Sequence, residues 1–277
     1  MQSNKTPAPR PRYAAFGYSL ACNSACAHCV ARQDADSAAT MDIEAAEALV
    51  GELGQAAVRG LSFTAGEPLL FSAEINRLVK RCRADDMFSR VVTNAFWASS
   101  SNSADTVVRQ LQKSGLCQLR ISCSRWHGEF ISPGNTLTAA RSCRRLGLDY
   151  FVSFITDFSQ EDDELEARLR SNGLKYFPEP LLYYGGAANF TRPPVCHDFQ
   201  RLRCRLSPYI TPELDFYACC DAGTHFHKTG FFHVGSRTKH SMADLYTKLE
   251  EHPLYRLIEQ TGLSALASSI GMPASEI

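Results

Sequence analysis

The sequence carries no excess of either charge: 29 Lys and Arg stand against 29 Asp and Glu among 277 residues. No overall field therefore favours nucleic acid or an anionic membrane surface, and any partner is recognised locally. There is no low-complexity tract, no repeat visible in the sequence, and no stretch of the roughly 20 apolar residues that spanning a bilayer takes. The nearest thing to an export signal is Tyr13 to Ala21, which follows Arg10 and Arg12 and ends at Cys22. Its apolar core is short and broken by Gly17, and Leu20 stands one place too close to the cysteine. These absences lead us to expect a cytoplasmic protein with neither nucleic acid nor membrane as partner. The composition, 44% hydrophobic and 21% charged, is that of a globular chain. Its length suits one large α/β domain, or a barrel with a smaller appendage.

What is abundant is cysteine. The eleven residues are odd in number and bunched, unlike a disulfide framework. Three fall within Cys22 to Cys29 and four within Cys196 to Cys220, which points to metal in a reducing compartment. Cys82, Cys117, Cys123 and Cys143 are scattered among apolar residues and read as buried thiols.

Residues 1–12 hold three prolines and no periodicity, as a mobile arm does. From residue 13, strand and helix patterns alternate. Strands are expected at 13–20, 61–64, 90–93, 117–123, 150–156 and 175–177. Helices are expected from an N-cap at Thr40 to a stop at Gly60, and near 69–83, 104–114, 136–146 and 162–170. Such alternation predicts right-handed crossovers and a parallel sheet, with functional residues at the strands' C-terminal ends. The expected fold is α/β, a partial (β/α)6 TIM-like barrel over residues 13–180 with a small C-terminal iron–sulfur extension. Prolines and glycines change the rhythm from about Pro178, so 181–262 reads as that extension. It ends in a helix over 241–260 capped by Ser241 with Asp244 in its first turn. Residues 263–277 form a tail.

Cys22, Cys26 and Cys29 are spaced Cys-x3-Cys-x2-Cys, which lets three soft thiolates converge from one loop on iron or zinc. Three thiolates leave one iron of a four-iron cluster open to another ligand. A structural zinc would want a fourth protein ligand, and His28, between two cysteines, presents itself only if the loop folds back.

The loop Cys22-Asn-Ser-Ala-Cys26-Ala-His28-Cys29 resembles the cluster loop of the radical S-adenosylmethionine (SAM) superfamily, with His28 where an aromatic residue is usual. Three further motifs carry the resemblance in the same order. Thr64-Ala-Gly66-Glu67-Pro68 resembles the Gly-Gly-Glu-Pro turn that binds the methionine amino group, with Ala65 for a glycine. Thr93-Asn94-Ala95 resembles a Thr-Asn-Gly strand end, again with alanine for glycine. Leu119-Arg-Ile-Ser122-Cys-Ser124 resembles the strand whose serine meets SAM. The resemblance covers about Ala14 to Pro180. It implies a [4Fe-4S] cluster on Cys22, Cys26 and Cys29, and SAM held by Gly66, Glu67, Thr93, Asn94, Ser122, Ser124 and His28. It also implies an electron donor such as flavodoxin or ferredoxin. Alternation along the fourth strand sends Leu119, Ile121 and Cys123 to one face and Arg120, Ser122 and Ser124 to the other, toward the pocket.

Cys196, Cys204, Cys219 and Cys220 resemble the ligands of a second, auxiliary iron–sulfur cluster in the SPASM/twitch-like extensions of this superfamily. Ile210 to Cys220 reads as a hairpin leading to the last pair. No cysteine follows Cys220, so three ligands plus substrate, or plus His197, His225 or His227, is an alternative set. Two weaker stretches are Trp126-His127-Gly128-Glu129, expected as a loop near substrate, and Tyr183-Tyr184-Gly185-Gly186 after the sixth strand. Cys123 is a candidate hydrogen-atom donor, although its face is the outer one.

The resemblance implies reductive SAM cleavage to methionine and a 5′-deoxyadenosyl radical that abstracts a substrate hydrogen. Oxidation, epimerisation or bond formation then follows. The short arm before Tyr13 leaves no room for a separate peptide-recognition domain, which favours a small natural-product-like substrate over a peptide. The rival of another class is a non-enzymatic zinc or iron–sulfur interaction protein.

Overall fold

The computed structural model describes residues 11–31, 39–183, 185–191, 207–220 and 230–262. Six strands pair in parallel and in chain order: β1 (Arg12–Gly17), β2 (Val58–Thr64), β3 (Phe88–Thr93), β4 (Gln118–Cys123), β5 (Asp149–Thr156) and β6 (Tyr176–Pro180). The helices that return the chain between them are α1 (Ile43–Gln55), α2 (Ser72–Ala84), α3 (Ser101–Ser114), the one-turn α4 (Arg125–Gly128) with α5 (Pro133–Leu146), and α6 (Asp163–Ser171). One layer of core lies between strands and helices, where Leu49, Leu53, Ile75, Leu78, Leu111, Leu119 and Ile121 are all buried. The expected alternation in β4 is present: Leu119, Ile121 and Cys123 are buried under the helices, while Arg120 and Ser122 are half-buried on the inner face.

The barrel stays open. The outer edge of β1 is taken by β7 (Tyr209–Ile210), which runs parallel to it with Ala15 opposite Tyr209. Two antiparallel strands follow, β8 (Asp215–Tyr217) and β9 (His233–Ser236), so the expected hairpin is present and lengthens the sheet to nine strands. Two helices close the described chain, α7 (Met242–Glu251) and α8 (Pro253–Thr261). Among the described residues no helix is long and apolar enough to cross a membrane.

Several local expectations are corrected. The N-cap of α1 is Asp42, whose Oδ1 accepts Ala45 N–H at 2.9 Å, because the Thr40 hydroxyl is engaged with Ser19 Oγ at 2.7 Å. That helix ends at Gln55, and Gly60 lies inside β2. The single helix expected over 241–260 is two, since Pro253 forces His252 out of helical geometry (ψ 120°). Trp126 to Gly128 is helical rather than loop, capped by Ser124 Oγ on the His127 N–H. β6 runs on through Pro178 and Pro180, which an edge strand tolerates because it needs no N–H on its free side.

Candidate active site

The C-terminal ends of the parallel strands surround a cavity of about 420 Å³. Its walls bring together Cys22, Cys26, Cys29 and His28 from the loop after β1, Gly66 and Glu67 after β2, Thr93 and Asn94 at the end of β3, and Ser122 on β4. Residues from four separate motifs thus line one space.

Close backbone approach fixes the first two turns against each other. Glu67 N–H donates to Ala21 O at 2.8 Å, and a Cβ on Gly66 would stand 2.3 Å from that same oxygen, so only glycine fits. Ala65 and Ala95, the two alanines in place of glycine, both adopt left-handed backbone, at φ +66° and +62°. The turn geometry is therefore kept and the chain carries its strain.

Glu67 is fully buried. Its Oε1 accepts Thr93 Oγ1–H at 2.8 Å and Leu69 N–H at 3.0 Å, and its Oε2 accepts Asn94 N–H at 2.7 Å. Burial pushes its carboxyl up to about 7, against the pull of these three donors. Asn94 Nδ2 reaches on to Asn23 Oδ1 at 2.9 Å and Ser24 Oγ at 3.3 Å, so the network ends in the cysteine loop.

The loop is braced from the other side as well. Cys29 O accepts Gly186 N–H at 3.0 Å, and a Cβ on Gly186 would meet Ala27 O at 2.4 Å. Gly185 and Gly186 therefore support the loop. His28 is buried, its ring stacked on Trp126 at 5.0 Å and edge-on to His127 at 4.7 Å. Desolvation lowers both imidazoles, His28 to about 4 and His127 to about 3 with help from His28, so both are neutral near pH 7. His127 Nδ1 lies 2.7 Å from Ser124 Oγ. Ser124 is buried beneath it and orients His127, which itself reaches the cavity wall.

The donor set suits an iron–sulfur cluster. Burial, followed by the charges of Cys29 and Cys22, raises the Cys26 thiol to about 12. Three thiolates that repel one another call for a cationic centre, which lowers all three. Among the described residues no three Cys, His, Asp or Glu side chains are gathered tightly enough for a single metal ion.

Cys123 is not brought to this site. It is buried among helix-facing residues and absent from the cavity wall, so the proposed hydrogen-atom donor faces the wrong way. Cys220 does reach the cavity wall, beside Tyr209. Cys196 and Cys204 lie outside the described residues, as do His197, His225, His227 and Tyr184. Sequence reasoning missed Glu179, because Pro178 and Pro180 read as the end of a strand and hid the alternation that sends residues 177 and 179 to one face.

A family model described as the radical SAM superfamily matches residues 18–171, more than half of the chain. No curated protein matches it in sequence. Among solved structures it is similar to anSMEcpe with bound AdoMet, at 13% identity over 90% of this chain and 84% of that one, TM-score 0.69. It is also similar to Streptococcus suis SuiB bound to S-adenosylmethionine, at 15% over 90% and 68%, TM-score 0.66. A third is BtrN in complex with AdoMet and 2-DOIA, at 11% over 94% and 90%, TM-score 0.58. At these identities the likeness is one of fold.

Proposed function

The chain belongs to the radical SAM superfamily, and we propose that it holds a [4Fe-4S] cluster on Cys22, Cys26 and Cys29 and binds SAM in the adjoining cavity, to take a hydrogen atom from a small natural-product-like molecule. One observation carries this reading: the three thiols and the glycine, asparagine and serine of three other strand ends line a single cavity.

When bound and reduced by an external one-electron donor such as flavodoxin or ferredoxin, the cluster would supply the electron that splits SAM into methionine and a 5′-deoxyadenosyl radical. The chain's own residues do the rest. Cys22, Cys26 and Cys29 would hold the cluster by three of its irons, and the adjoining cavity would take SAM. Gly66 lets backbone come close to that ligand. Glu67 holds the turns after β2 and β3 together through three hydrogen bonds, which keeps the Gly66 and Asn94 backbone in register. Ser122 offers a hydroxyl from β4, and neutral His127, turned by Ser124, offers a ring on the same wall. Trp126 and His28 stack to close one side against water. Oxidation, epimerisation or bond formation would follow, and Cys196, Cys204, Cys219 and Cys220 would be the ligands of a second cluster.

A peptide is the second reading, since the same core is similar to SuiB bound to precursor peptide SuiA, at 14% identity over 90% and 66% with TM-score 0.66. The test is anaerobic reconstitution with iron and sulfide, followed by reduction in the presence of SAM. Release of 5′-deoxyadenosine by the wild type and its loss in each of Cys22→Ala, Cys26→Ala and Cys29→Ala is expected. Undiminished release from the triple variant would refute the reading.

A further inference from the structure

Deeper in the cavity, below the strand-end turns, lies one ion pair, between Arg120 on β4 and Glu179 on β6. Arg120 precedes Ser122 by two residues on the same face, which sets its Cα about 6–7 Å farther from the strand ends. Its Nη2 donates to Glu179 Oε2 and, at 2.9 Å, to Ser153 Oγ. Its Nε is buried with no partner, and Nη1 donates to no described residue. Glu179 Oε1 likewise accepts from no described residue. The two side chains are 29% and 34% exposed, so they face open space and not packed protein.

We propose that this pair is the substrate-recognition element of the cavity, and that the substrate offers it a neutral group that both accepts and donates a hydrogen bond: a hydroxyl or a carboxamide. The proposal rests on the reading that SAM fills the strand-end side of the same cavity. Arg120 Nη1 and Glu179 Oε1, which no described residue meets, set a free donor edge beside a free acceptor in open space, next to the buried and unmet Nε. A carboxylate would answer Arg120 but press against Glu179. An ammonium would answer Glu179 and be repelled by Arg120. A hydroxyl or carboxamide accepts from the one and donates to the other. Arg90, the next cation in the barrel, does not change this balance, because it donates to Gln118 Oε1, lies over the rings of Phe88 and Phe151, and is not on the cavity wall. Nor is the pair needed to hold β6, which already pairs with β5 from Tyr176 to Pro180. Ile155, Leu181 and Leu182 on the same wall offer apolar surface to the carbon frame that bears the polar group.

The test uses cluster-loaded, SAM-bound protein and four probes on one ring: cyclohexanol, cyclohexanecarboxamide, cyclohexanecarboxylate and cyclohexylammonium, with binding followed by ligand-observed NMR. The two neutral probes are expected to bind about tenfold or more tightly than the charged ones, and the tighter of the two separates hydroxyl from carboxamide. Glu179→Gln and Arg120→Lys should each weaken the neutral probes by a similar factor. The lysine keeps the ion pair with Glu179 while removing the second donor edge, and iron content reports that each variant has folded. Tightest binding by the carboxylate, kept or strengthened in Glu179→Gln, would make this an anion site and overturn the proposal. So would no binding of any probe to the wild type, or equal binding by wild type and variants, since the pair would then only brace β6. Failure of the wild type to bind SAM, read before any probe is added, would instead count against the function proposed above.

Discussion

The backbone N–H of Asn94 donates to Glu67 Oε2 at 2.7 Å, which joins the end of β3 to the turn after β2. With Thr93 Oγ1 and Leu69 N on the other oxygen, the carboxylate is engaged from both sides and its position is set by protein alone. The sequence resemblance assigned Glu67 to the methionine amino group. Its geometry makes it first a clamp between two binding turns.

Glu67→Gln is therefore expected to cost about 1–3 kcal/mol, because one acceptor becomes a donor facing an N–H. The effect depends on pH. The folded carboxyl is raised to about 7 from its ordinary 4.5, so the folded protein binds the extra proton and the wild type loses stability as pH rises from about 4.5 to 7. The glutamine does not titrate, so the gap between the two proteins should narrow across that window. Thermal unfolding at pH 5 and pH 8 checks this, and a gap that widens with pH would contradict it.

Ala65→Gly should stabilise the protein. The alanine sits at φ +66°, where an L side chain costs about 1–2 kcal/mol, and part of that returns on substitution after the glycine's added unfolded-state entropy is subtracted. A net gain of about 0.5–1 kcal/mol would raise the melting temperature by a few degrees. Ala95→Gly relieves similar strain at φ +62°, but its methyl is fully buried, and the cavity left behind should cancel most of the gain. Equal effects at the two sites would show that burial of the Ala95 methyl is not what separates them.

Arg125→Ala should destabilise the protein by about 3 kcal/mol, since it leaves buried Asp162 without its counter-charge. Arg125 also contacts Asp157 at 2.5 Å and lies 4.2 Å from the ring centre of Trp126, the residue stacked on His28. Its guanidinium holds the Asp157 carboxyl well below the usual range. That contribution is present above about pH 4 and is lost as pH falls below it. In acid melts the variant should therefore converge on the wild type, and a constant offset down to pH 2 would refute the link.

Replacing Cys196, Cys204, Cys219 and Cys220 together by serine should lower iron and sulfide to about half if the extension carries a second cluster of equal size. The SAM-dependent spectral change of the first cluster should survive. Full iron content in the variant, or one zinc per chain in the wild type, would remove the second cluster.

Much of the barrel was legible because its signals are local. Apolar spacing marked α1 and α2, and the β4 alternation separated Arg120 and Ser122 from Leu119 and Ile121 as observed. Where sequence reading failed, a non-local partner decided. Thr40 lost the cap to Asp42 because Ser19 bonds it, and β6 continues through two prolines because its far side is a free edge. The cavity residues announced by motif arrive together except Ser124, which a single helical turn places beneath His127 while His127 reaches the wall as expected. Glu179 could not be found from its own neighbours, since only the pairing of β6 with β5 turns it inward.

The parallel seam between β1 and β7 has a consequence in time. Ala15 pairs on one side with Ser62 and on the other with Tyr209, so the strand that ends at the cysteine loop waits for its second partner through most of synthesis. At about 5–20 residues per second, the nearly 150 residues between those partners take roughly 7–30 seconds to emerge from the ribosome. Until then Cys22, Cys26 and Cys29 follow a strand that has only one of its two neighbours to pair with, so the order in which a cluster and the last strands arrive would bear on how the molecule is made.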